Sequence, residues 1–497
     1  MFDTVLVANR GEIAVRIIRA CRELGLVSVA VYSDVDRLSP HVLEADKAVR
    51  IGPAPSSESY LRGEHLIEVA GNVGAGAIHP GYGFLAERAS FAAAVEKAGL
   101  VFIGPSPESI QAMGDKTEAR RRMAEAGVPI IPGSLRSTSG FEEAADTARD
   151  LGFPVLLKAV VGGGGKGMRV VSNADDLRGA LEAASREAES AFGDGSVYVE
   201  KHLARPRHIE IQILGDQSGA VVHLGERECS IQRRHQKLLE ESPAPFLEPG
   251  DREAMGLAAV QAARAVDYRG AGTVEFLYED GEFYFLEMNT RLQVEHPVTE
   301  FVTGLDLVQW QIRVALGESL DFRQEDVLFS GHAIECRITS EDPDQGFLPA
   351  VGRIDHLEVP SGPGVRWDGG IRAGSDIGPH YDPLLGKLIV HAGSRPAAIA
   401  RMKRALGELL IHGVETSVLF HLRVMEEDDF GRGDLTIAYL EDHPELSRPS
   451  DGEVRLVAVA AAMLEHEGRG RVGPTRIDRL DGRGLSAWRA SGWPWQT

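Results

Sequence analysis

The sequence has few cysteines and no long hydrophobic segment, and each absence excludes a class of protein. Cys21, Cys229 and Cys336 are far apart and odd in number, which predicts a reducing compartment and excludes a zinc site. Cys229 lies among charged residues, and we expect it to be buried and inert. No run of about 18 apolar residues occurs, so no membrane span is expected. The N-terminus lacks a secretion signal, which predicts a cytoplasmic protein.

Positive charge is also scarce. The chain has 53 Lys and Arg against 74 Asp and Glu, and its formal net charge is −21. Such a balance argues against nucleic acid as a partner. An anionic ligand would therefore need a local basic cluster in an acidic body. The length of 497 residues suffices for roughly three domains.

The first residues have the pattern of a β-α-β unit. An apolar run at 4–8 is followed by apolar residues at helical spacing and by a second strand at 27–32, which predicts an open parallel sheet. Only Gly11 of the three-glycine dinucleotide fingerprint is present, so the pattern argues against NAD binding. Further units follow, and the Pro- and Gly-rich loop at 79–87 comes at the carboxyl end of a strand, where such sheets bind ligands.

The middle of the chain combines a glycine-rich loop with antiparallel strands. A strand carrying an inward Lys158 leads into four glycines at 162–165, and such loops let backbone N–H groups wrap phosphate oxygens. The loop is not a Walker motif, because no Lys-Ser/Thr follows and the next element is a strand. Alternating strands at 207–224 predict an antiparallel sheet, and the basic loop at 230–237 predicts anion binding.

Two alternating runs around Asp280-Gly281 predict a hairpin. A two-residue loop would place Glu275 and Glu287 on opposite faces. A three-residue loop over 280–282 pairs Glu275 with Glu287. It also pairs Phe276 with Leu286. We predict the second register, because it sorts polar and apolar faces cleanly.

The segment after this hairpin alternates as well. Its polar residues are Glu287, Asn289, Arg291, Gln293 and Glu295, and an extended chain places alternate side chains on one face. Two neighbouring carboxylates repel each other unless a cation lies between them. Glu275, Glu287 and the amide oxygen of Asn289 therefore predict a hard-cation site, with Mg²⁺ and phosphate oxygens as its occupants.

The segments together resemble one family, the biotin carboxylases of the ATP-grasp superfamily. The resemblance covers about residues 1 to 445 and rests on Ala-Asn-Arg-Gly-Glu-Ile-Ala at 8–14, His-Pro-Gly-Tyr-Gly-Phe-Leu-Ala-Glu at 79–87, Lys158 with the glycine loop at 162–168, Glu200-Lys201, and the segments at 232–237 and 287–296. It implies an α/β fold in three parts. These are an N-terminal open parallel-sheet domain at 1–113, an ATP-grasp domain at 114–317 with a mobile lid at about 131–203, and a C-terminal mixed α/β domain at 330–444. Residues 445–497 form a tail in which we find no catalytic signal.

The resemblance implies carboxylation of biotin on a carrier protein, driven by ATP and bicarbonate. The implied ATP-binding residues are Lys116, Lys158, Gly164, Gly165, Glu200, Lys201, Leu203, His208, Gln232, His235, Glu275, Glu287 and Ile437. Lys116, Lys158 and the glycine loop would neutralise phosphate charge, and Glu200 and Lys201 would face the base. Glu275, Glu287 and Asn289 would hold Mg²⁺ or Mn²⁺.

The remaining implied roles concern bicarbonate and biotin. Lys237, Arg291, Gln293 and the backbone of Val294 would bind bicarbonate. Glu295 would be the general base. Arg337 would stabilise the biotin enolate, a role that needs a permanent cation, and Tyr82 would line the biotin side. Lys237, Arg291, Glu295 and Arg337 are thus the implied catalytic residues.

The resemblance also implies partners. Multi-domain members carry a biotin-accepting Ala-Met-Lys-Met segment, and the nearest imitation here, around Lys403, lies on an amphipathic helix and lacks the flanking residues. We therefore expect the biotin carboxyl carrier protein and the carboxyltransferase to be separate chains. A homodimer is expected through the C-terminal region and the N-terminal helix, with contributions from Arg16, Arg19 and Glu23.

Two other functions stay open at this point. Another ATP-grasp ligase, of the carbamoyl-phosphate or carboxyaminoimidazole ribonucleotide type, shares the nucleotide and Mg²⁺ groups but does not predict Arg337 or the bicarbonate pocket. A non-catalytic ATP-binding subunit would tolerate loss of Lys237, Arg291 or Glu295, and all three are present.

Overall fold

The structure is a computed structural model that describes residues 2–134, 138, 140–160, 168–448 and 463. The chain divides into two units, Met1–Ser447 and Arg448–Thr497. The predicted tail at 445–497 lies almost wholly outside the described residues, as do Gly164 and Gly165 of the predicted phosphate loop.

The first part of the chain is a parallel sheet with helices between its strands. The strands are β1 (Thr4–Val7), β2 (Val27–Ser33), β3 (Lys47–Gly52), β4 (Ala77–His79) and β5 (Val101–Phe102), in the order β3-β2-β1-β4-β5. The helices are α1 (Gly11–Glu23), α2 (Pro40–Glu44), α3 (Gly63–Val73), α4 (Ala89–Lys97) and α5 (Pro107–Gly114). α1 buries Ile13 and Ile17 because its apolar residues recur on one helical face. The predicted β-α-β start and open parallel sheet are confirmed.

A small antiparallel sheet follows helix α6 (Lys116–Glu125). It consists of β6 (Val155–Ala159), β7 (Met168–Val171) and β8 (Val197–Lys201) in the order β7-β6-β8. The helices α7 (Phe141–Leu151) and α8 (Leu177–Phe192) pack their apolar residues against it. Lys158 lies on β6, as the sequence predicts.

The rest of the described chain contains one large antiparallel sheet and three sheets of two strands each. Its first strands are β9 (Arg207–Gly215), β10 (Val221–Arg233), β11 (Gln236–Ser242), β12 (Gly270–Glu279) and β13 (Glu282–Asn289), accompanied by α9 (Pro249–Arg264), α10 (His296–Thr303) and α11 (Leu307–Ala315). The later strands are β14 (His332–Thr339), β15 (Glu341–Asp342), β16 (Leu348–Pro349), β17 (Gly352–Arg353), β18 (His356–Glu358), β19 (Val365–Gly369), β20 (Asp376–Ile377), β21 (Leu384–Ala392) and β22 (Leu410–His412). The later helices are α12 (Arg395–Glu408), α13 (Val418–Glu426), α14 (Asp428–Arg432) and α15 (Tyr439–Asp442).

Eight of these strands make one continuous sheet, in the order β13-β12-β9-β10-β11-β14-β21-β19. The predicted domain boundary near residue 330 falls between β11 and β14, which are hydrogen-bonded neighbours. The sheet therefore carries side chains from both predicted domains to one surface. The domain boundaries themselves stay predictions.

The predicted basic loop at 230–237 is wrong in its secondary structure. Strand β10 runs to Arg233 and β11 begins at Gln236, so only Arg234 and His235 form the turn. Both have positive φ, 50° and 64°, which a two-residue hairpin turn of the I′ type requires. Cross-strand pairing of Gln232 with Lys237 extends the sheet into a segment that charge alone marks as a loop.

The three cysteines lie in the interior of the protein, buried and unpaired. Burial raises the pKa of the Cys229 thiol well above its ordinary value, which fits the predicted inert residue. In the part of the chain that the structure describes, no helix is long and apolar enough to cross a membrane.

Candidate active site

The hairpin of β12 and β13 brings Glu275 and Glu287 into register, as predicted. The loop, however, has two residues, because Glu279 pairs with Glu282, and the predicted three-residue loop is wrong. The predicted pair of Phe276 with Leu286 is also wrong, since the register shifts by one residue after Glu275. This β-bulge restores the carboxylate pair that a plain two-residue loop would have separated.

The polar side chains after β13 converge although the strand ends at Asn289. Arg291 donates through Nη2 to Oδ1 of Asn289 at 3.0 Å and through Nη1 to Oε1 of Gln293 at 2.8 Å. Gln293 donates in turn to Oε1 of Glu275 at 3.2 Å. The predicted common face therefore forms, with the side chains joined to one another rather than solvated.

Lys237 lies at the centre of three buried carboxylates. Its Nζ is 2.8 Å from Oε1 of Glu275 and 2.7 Å from Oε1 of Glu295, and it also contacts Glu210. Burial by itself lowers the pKa of Lys237, but Glu210, Glu275 and Glu295 outweigh it and raise that pKa well above its ordinary value. Lys237 is therefore a permanent cation at this point of the sheet.

Glu295 lies between two cations. Its Oε1 accepts from Lys237, and its Oε2 accepts from Nη2 of Arg337 at 2.8 Å. Burial would raise the pKa of Glu295, but Lys237, Arg337 and Arg227 hold it well below its ordinary value. The carboxylate is consequently ionised and fully buried, and its oxygens can accept hydrogen bonds, as those of a base must.

Arg337 reaches this point from β14, on the predicted C-terminal domain. Its Nε donates to Oε1 of Glu240 at 2.6 Å while Nη2 serves Glu295. Burial raises the pKa of Glu240 to about 7, and Glu295 adds to this while Arg337 opposes it. Sequence reasoning missed Glu210 and Glu240. Glu210 lies in the alternating strand β9, where a polar residue is typical of a solvated face, and Glu240 lies in β11, which has no alternating pattern.

The two hairpin carboxylates differ in their surroundings. Glu275 accepts from Lys237 and from Asn289 Nδ2 at 2.9 Å, and its Oε2 lies 2.9 Å from Nε2 of His208. Burial and the charge of Glu275 raise the pKa of Glu287. Among the described residues Glu287 has no hydrogen-bond or ion-pair partner. A hard divalent cation between these oxygens would relieve the repulsion, so the two carboxylates suit the predicted Mg²⁺ site. Asn289 donates to Glu275 and its oxygen accepts from Arg291, so its amide would have to turn to act as a ligand.

The predicted nucleotide residues occupy several elements around this hairpin. Lys116 begins α6, and Gln232 and His235 lie at the β10–β11 hairpin end. Lys201 is the exposed end of β8, and Leu203 follows it half-buried. The backbone N–H of Ile437 donates to the carbonyl of Pro206 at 3.0 Å.

Glu200 has partners that the sequence did not indicate. Its buried carboxylate contacts Nζ of Lys158 and accepts from Nη1 of Arg120 at 3.0 Å. Arg120 also donates to the carbonyl of Ile131 at 2.9 Å. A direct contact between the Glu200 carboxylate and a base would require these ion pairs to rearrange.

Arg291 has a further partner, Glu87, from the loop at 79–87. Nε of Arg291 donates to Oε2 of Glu87 at 2.9 Å, and the N–H of Thr290 donates to Oε1 at 3.2 Å. The side chain of Glu87 is 40% exposed and that of Arg291 19%, so the ion pair lies at the mouth of the site. The predicted anion-binding cation is thus already paired with an acidic group.

Tyr82 approaches from the same loop. Its hydroxyl donates to Oε1 of Glu12, which also lies 3.1 Å from Nζ of Lys387. Lys387 donates to the carbonyl of Val294 at 2.7 Å. Glu12 and Lys387 were missed, although a lysine inside the apolar run of β21 was a signal available in the sequence.

Comparisons with known proteins agree with this architecture. Family models match residues 1–110 as biotin carboxylase N-terminal domain, 115–323 as carbamoyl-phosphate synthase L chain ATP binding domain, and 335–442 as biotin carboxylase C-terminal domain. The chain is 53% identical over 442 residues to the biotin carboxylase of Nostoc, covering 89% of this chain and 99% of that one. It is 52% identical over 445 residues to biotin carboxylase 1 of Bacillus subtilis, with the same coverage of the two chains. It is also 52% identical over 457 residues to one of the subunits of pyruvate carboxylase from Methanothermobacter thermautotrophicus, covering 92% of each.

A solved structure gives the same result in three dimensions. The biotin carboxylase domain of Hydrogenobacter thermophilus 2-oxoglutarate carboxylase, a dimer in complex with MgADP, ADP and bicarbonate, superimposes with a TM-score of 0.85 at 48% identity. The match covers 91% of this chain and all of that domain. The chain therefore belongs to the biotin carboxylase family of ATP-grasp ligases.

Proposed function

We propose that this protein carboxylates biotin on a carrier protein, converting ATP, bicarbonate and biotinyl carrier into ADP, phosphate and carboxybiotinyl carrier. The observation that carries the proposal is the ionised Glu295 held between Lys237 and Arg337. A site for phosphate transfer alone has no need of a second cation on this base. The other ATP-grasp ligases considered above share the hairpin carboxylates but do not call for Arg337.

The proposed first step uses the anion-binding side. Bicarbonate is bound by Arg291, Gln293, Lys237 and the Val294 backbone. The guanidinium of Arg291 then shares its hydrogen bonds between bicarbonate and Glu87. Bicarbonate brings negative charge that competes with Glu295 for Lys237, which raises the proton affinity of Glu295. Glu295 then accepts the bicarbonate proton, and the bicarbonate oxygen attacks the γ-phosphorus of ATP to form carboxyphosphate and ADP.

The nucleotide is held by positive charge. The residues proposed to surround it are Lys116, Lys158, His208, Gln232 and His235, together with Lys201, Leu203 and Ile437. When bound at Glu275, Glu287 and Asn289, Mg²⁺ supplies charge neutralisation to the transferring phosphate. Lys158 leaves Glu200 for the phosphates, and Arg120 remains as the counterion of Glu200.

The proposed second step uses the biotin side. Carboxyphosphate breaks down to CO₂ and phosphate, and that phosphate takes the proton from the ureido nitrogen of biotin. Arg337 binds the resulting enolate oxygen. Its guanidinium can do so without gaining a proton, because it is always charged. The nitrogen then attacks CO₂, with Tyr82 lining the biotin.

We further propose that the biotin is presented by a carrier outside these 497 residues, with a carboxyltransferase taking up the carboxyl group. Two relatives are named as parts of larger carboxylases, one of pyruvate carboxylase and one of 2-oxoglutarate carboxylase, and these names support a place in a multi-part carboxylase.

A homodimer is proposed as well, because the Hydrogenobacter relative is a dimer. Arg16 is internally paired with Glu300 and Asp306. Arg19 and Glu23 are more exposed, so of the residues predicted for a dimer contact these two fit best.

The experiment is ATP hydrolysis by the purified chain in bicarbonate and Mg²⁺, with and without free biotin, together with detection of carboxybiotin. We expect biotin to stimulate hydrolysis and carboxybiotin to form. An unchanged rate with no carboxybiotin would favour another ATP-grasp ligase. No bicarbonate-dependent hydrolysis under any condition would favour a non-catalytic subunit.

A further inference from the structure

One buried ion pair outside the assigned residues joins the two substrate sides. Lys387 on β21 is fully buried, and Glu12 on α1 is 4% exposed. Lys387 donates to the carbonyl of Val294 at 2.7 Å, and Oε1 of Glu12 lies 3.1 Å from its Nζ. The same oxygen of Glu12 accepts the hydroxyl of Tyr82.

The pair is unusual for a structural element. Removing two charges from water costs several kcal/mol per ion, and apolar residues of similar volume often serve stability as well. Asp368, directly opposite Lys387 on β19, adds a second buried acid. Stability alone therefore gives little reason for a lysine in the middle of the apolar β21.

The hydrogen bonds of the pair lead to two functionally different places. The Val294 carbonyl belongs to the peptide group that carries the N–H of Glu295, so its orientation sets the position of the proposed base. Tyr82 belongs to the loop proposed to line biotin. A rigid ion pair that holds both groups sets the distance between the bicarbonate side and the biotin side.

We propose that Lys387 and Glu12 are positioning residues that couple cleavage of ATP to carboxylation of biotin. This inference rests on the proposed function. Without the pair, the displaced Glu295 forms carboxyphosphate more slowly, but the carboxyphosphate that does form still breaks down to CO₂ and phosphate. The CO₂ then meets water instead of the ureido nitrogen and returns to bicarbonate, so that the net reaction is hydrolysis of ATP to ADP and phosphate.

The test measures carboxybiotin formed per ATP hydrolysed for Lys387→Met and Glu12→Gln. We expect the ratio to fall roughly tenfold in Lys387→Met, because small misplacements of reacting groups reduce rates by up to about 10²-fold. The KM for ATP should stay close to the wild-type value, since neither residue faces the nucleotide. Glu12→Gln should show a smaller fall, because its amide oxygen still accepts from Tyr82.

A matched control and a double variant separate positioning from stability. Arg395→Met also removes a cation from a buried acid, Glu241, but the other contacts of Arg395 are Phe430 and Gly431, so its ratio should stay at the wild-type value. Lys387→Met combined with Glu12→Gln removes both charges of the pair, while Asp368 keeps its partner Arg366, and should recover part of the lost thermal stability. The ratio should stay low, because Val294 still lacks its donor.

The outcomes distinguish this inference from the proposed function. A wild-type ratio in Lys387→Met, or recovery of the ratio together with stability in the double variant, would overturn the inference. If Lys387→Met does not fold, the double variant and Glu12→Gln decide by the same ratio. Failure of the wild-type protein to form carboxybiotin would instead reject the proposed function.

Discussion

Arg337 donates a hydrogen bond through Nη2 to Oε2 of Glu295 at 2.8 Å. The proposed holder of the biotin enolate and the proposed base for bicarbonate are therefore direct partners. Because Arg337 helps to keep Glu295 ionised, protonation of this carboxylate during the first step weakens its hold on the guanidinium. The two half-steps are thereby expected to be linked through one side-chain contact.

Glu295→Gln should abolish the base while keeping the shape of the side chain. We expect bicarbonate-dependent ATP hydrolysis to fall about 10²- to 10⁴-fold, the range for loss of a general base, with little change in the KM for ATP. Steady-state kinetics measure both. Glu240→Gln is the matched control, because Glu240 also contacts Arg337 but lies outside the contacts of Lys237; an equal loss there would contradict the assigned base.

Arg337→Lys keeps the positive charge but removes the planar guanidinium, whose nitrogens donate to Glu240 and Glu295 at the same time. Carboxybiotin formation should fall about 10²- to 10³-fold, as for loss of a donor to a developing oxyanion. The KM for ATP should hardly change. Parallel losses in carboxybiotin yield and ATP affinity would count against the role of Arg337.

Glu287→Gln should weaken the metal site and stabilise the protein without metal. The half-saturating Mg²⁺ concentration for ATP hydrolysis is expected to rise about tenfold or more. Removal of the repulsion with Glu275 should raise the unfolding midpoint in EDTA, since opposed like charges destabilise a strand pair by up to about 1 kcal/mol.

The same hairpin offers a control for that prediction. Glu279 and Glu282 are also paired across it, at its exposed end. Glu282→Gln should leave the Mg²⁺ requirement unchanged. If both variants shift it equally, or if Glu287→Gln shifts neither quantity, the cation site is not where we place it.

Glu87→Gln should lower the KM for bicarbonate, because the anion no longer shares Arg291 with a carboxylate. The expected change is up to about fivefold, corresponding to the ~0.2–1 kcal/mol of an exposed ion pair. Glu96→Gln breaks the similarly exposed pair with Arg269, which makes no contact with Arg291, and should not change that KM. A higher KM in Glu87→Gln would mean that Glu87 orients Arg291 instead of competing for it.

Glu228 makes stability depend on pH. Burial raises the pKa of Glu228 to about 7, opposed by Arg207. The folded state therefore binds this proton more tightly than the unfolded state does. Its contribution to stability is present below the ordinary pKa of 4.5 and is lost as the pH rises through the folded value.

The slope of this loss is at most about 1.4 kcal/mol per pH unit for one proton. In Glu228→Gln, the unfolding midpoint should depend less on pH between those two pKa values. Glu300 is the control of opposite sign: burial raises its pKa, but Arg16 and Arg366 outweigh this and lower it. Glu300→Gln should therefore leave the slope in that window unchanged, and an unchanged slope in Glu228→Gln would contradict the prediction.

Local patterns predicted the parts of the site that lie close together in the chain. Alternation of polar residues predicted that Asn289, Arg291 and Gln293 share one surface. They do, although β13 ends at Asn289 and hydrogen bonds between the side chains hold the group together. The same pattern failed at the hairpin loop, where the bulge at Leu286 depends on how β12 and β13 twist together. It failed again at 230–237, where charge was mistaken for absence of a strand.

The sequence by itself determined the family and the parallel first sheet, since these follow from motifs and from the spacing of apolar residues. It also predicted that Glu275 pairs with Glu287, but a β-bulge and not the predicted loop produces that pair. Only the tertiary structure decided which acids meet which cations. Glu87 reaches Arg291, Glu240 reaches Arg337 and Glu12 reaches Lys387 through the order of strands in the large sheet and the packing of the first domain against it. Such contacts join segments far apart along the chain, and no local periodicity encodes the distance between two separate elements.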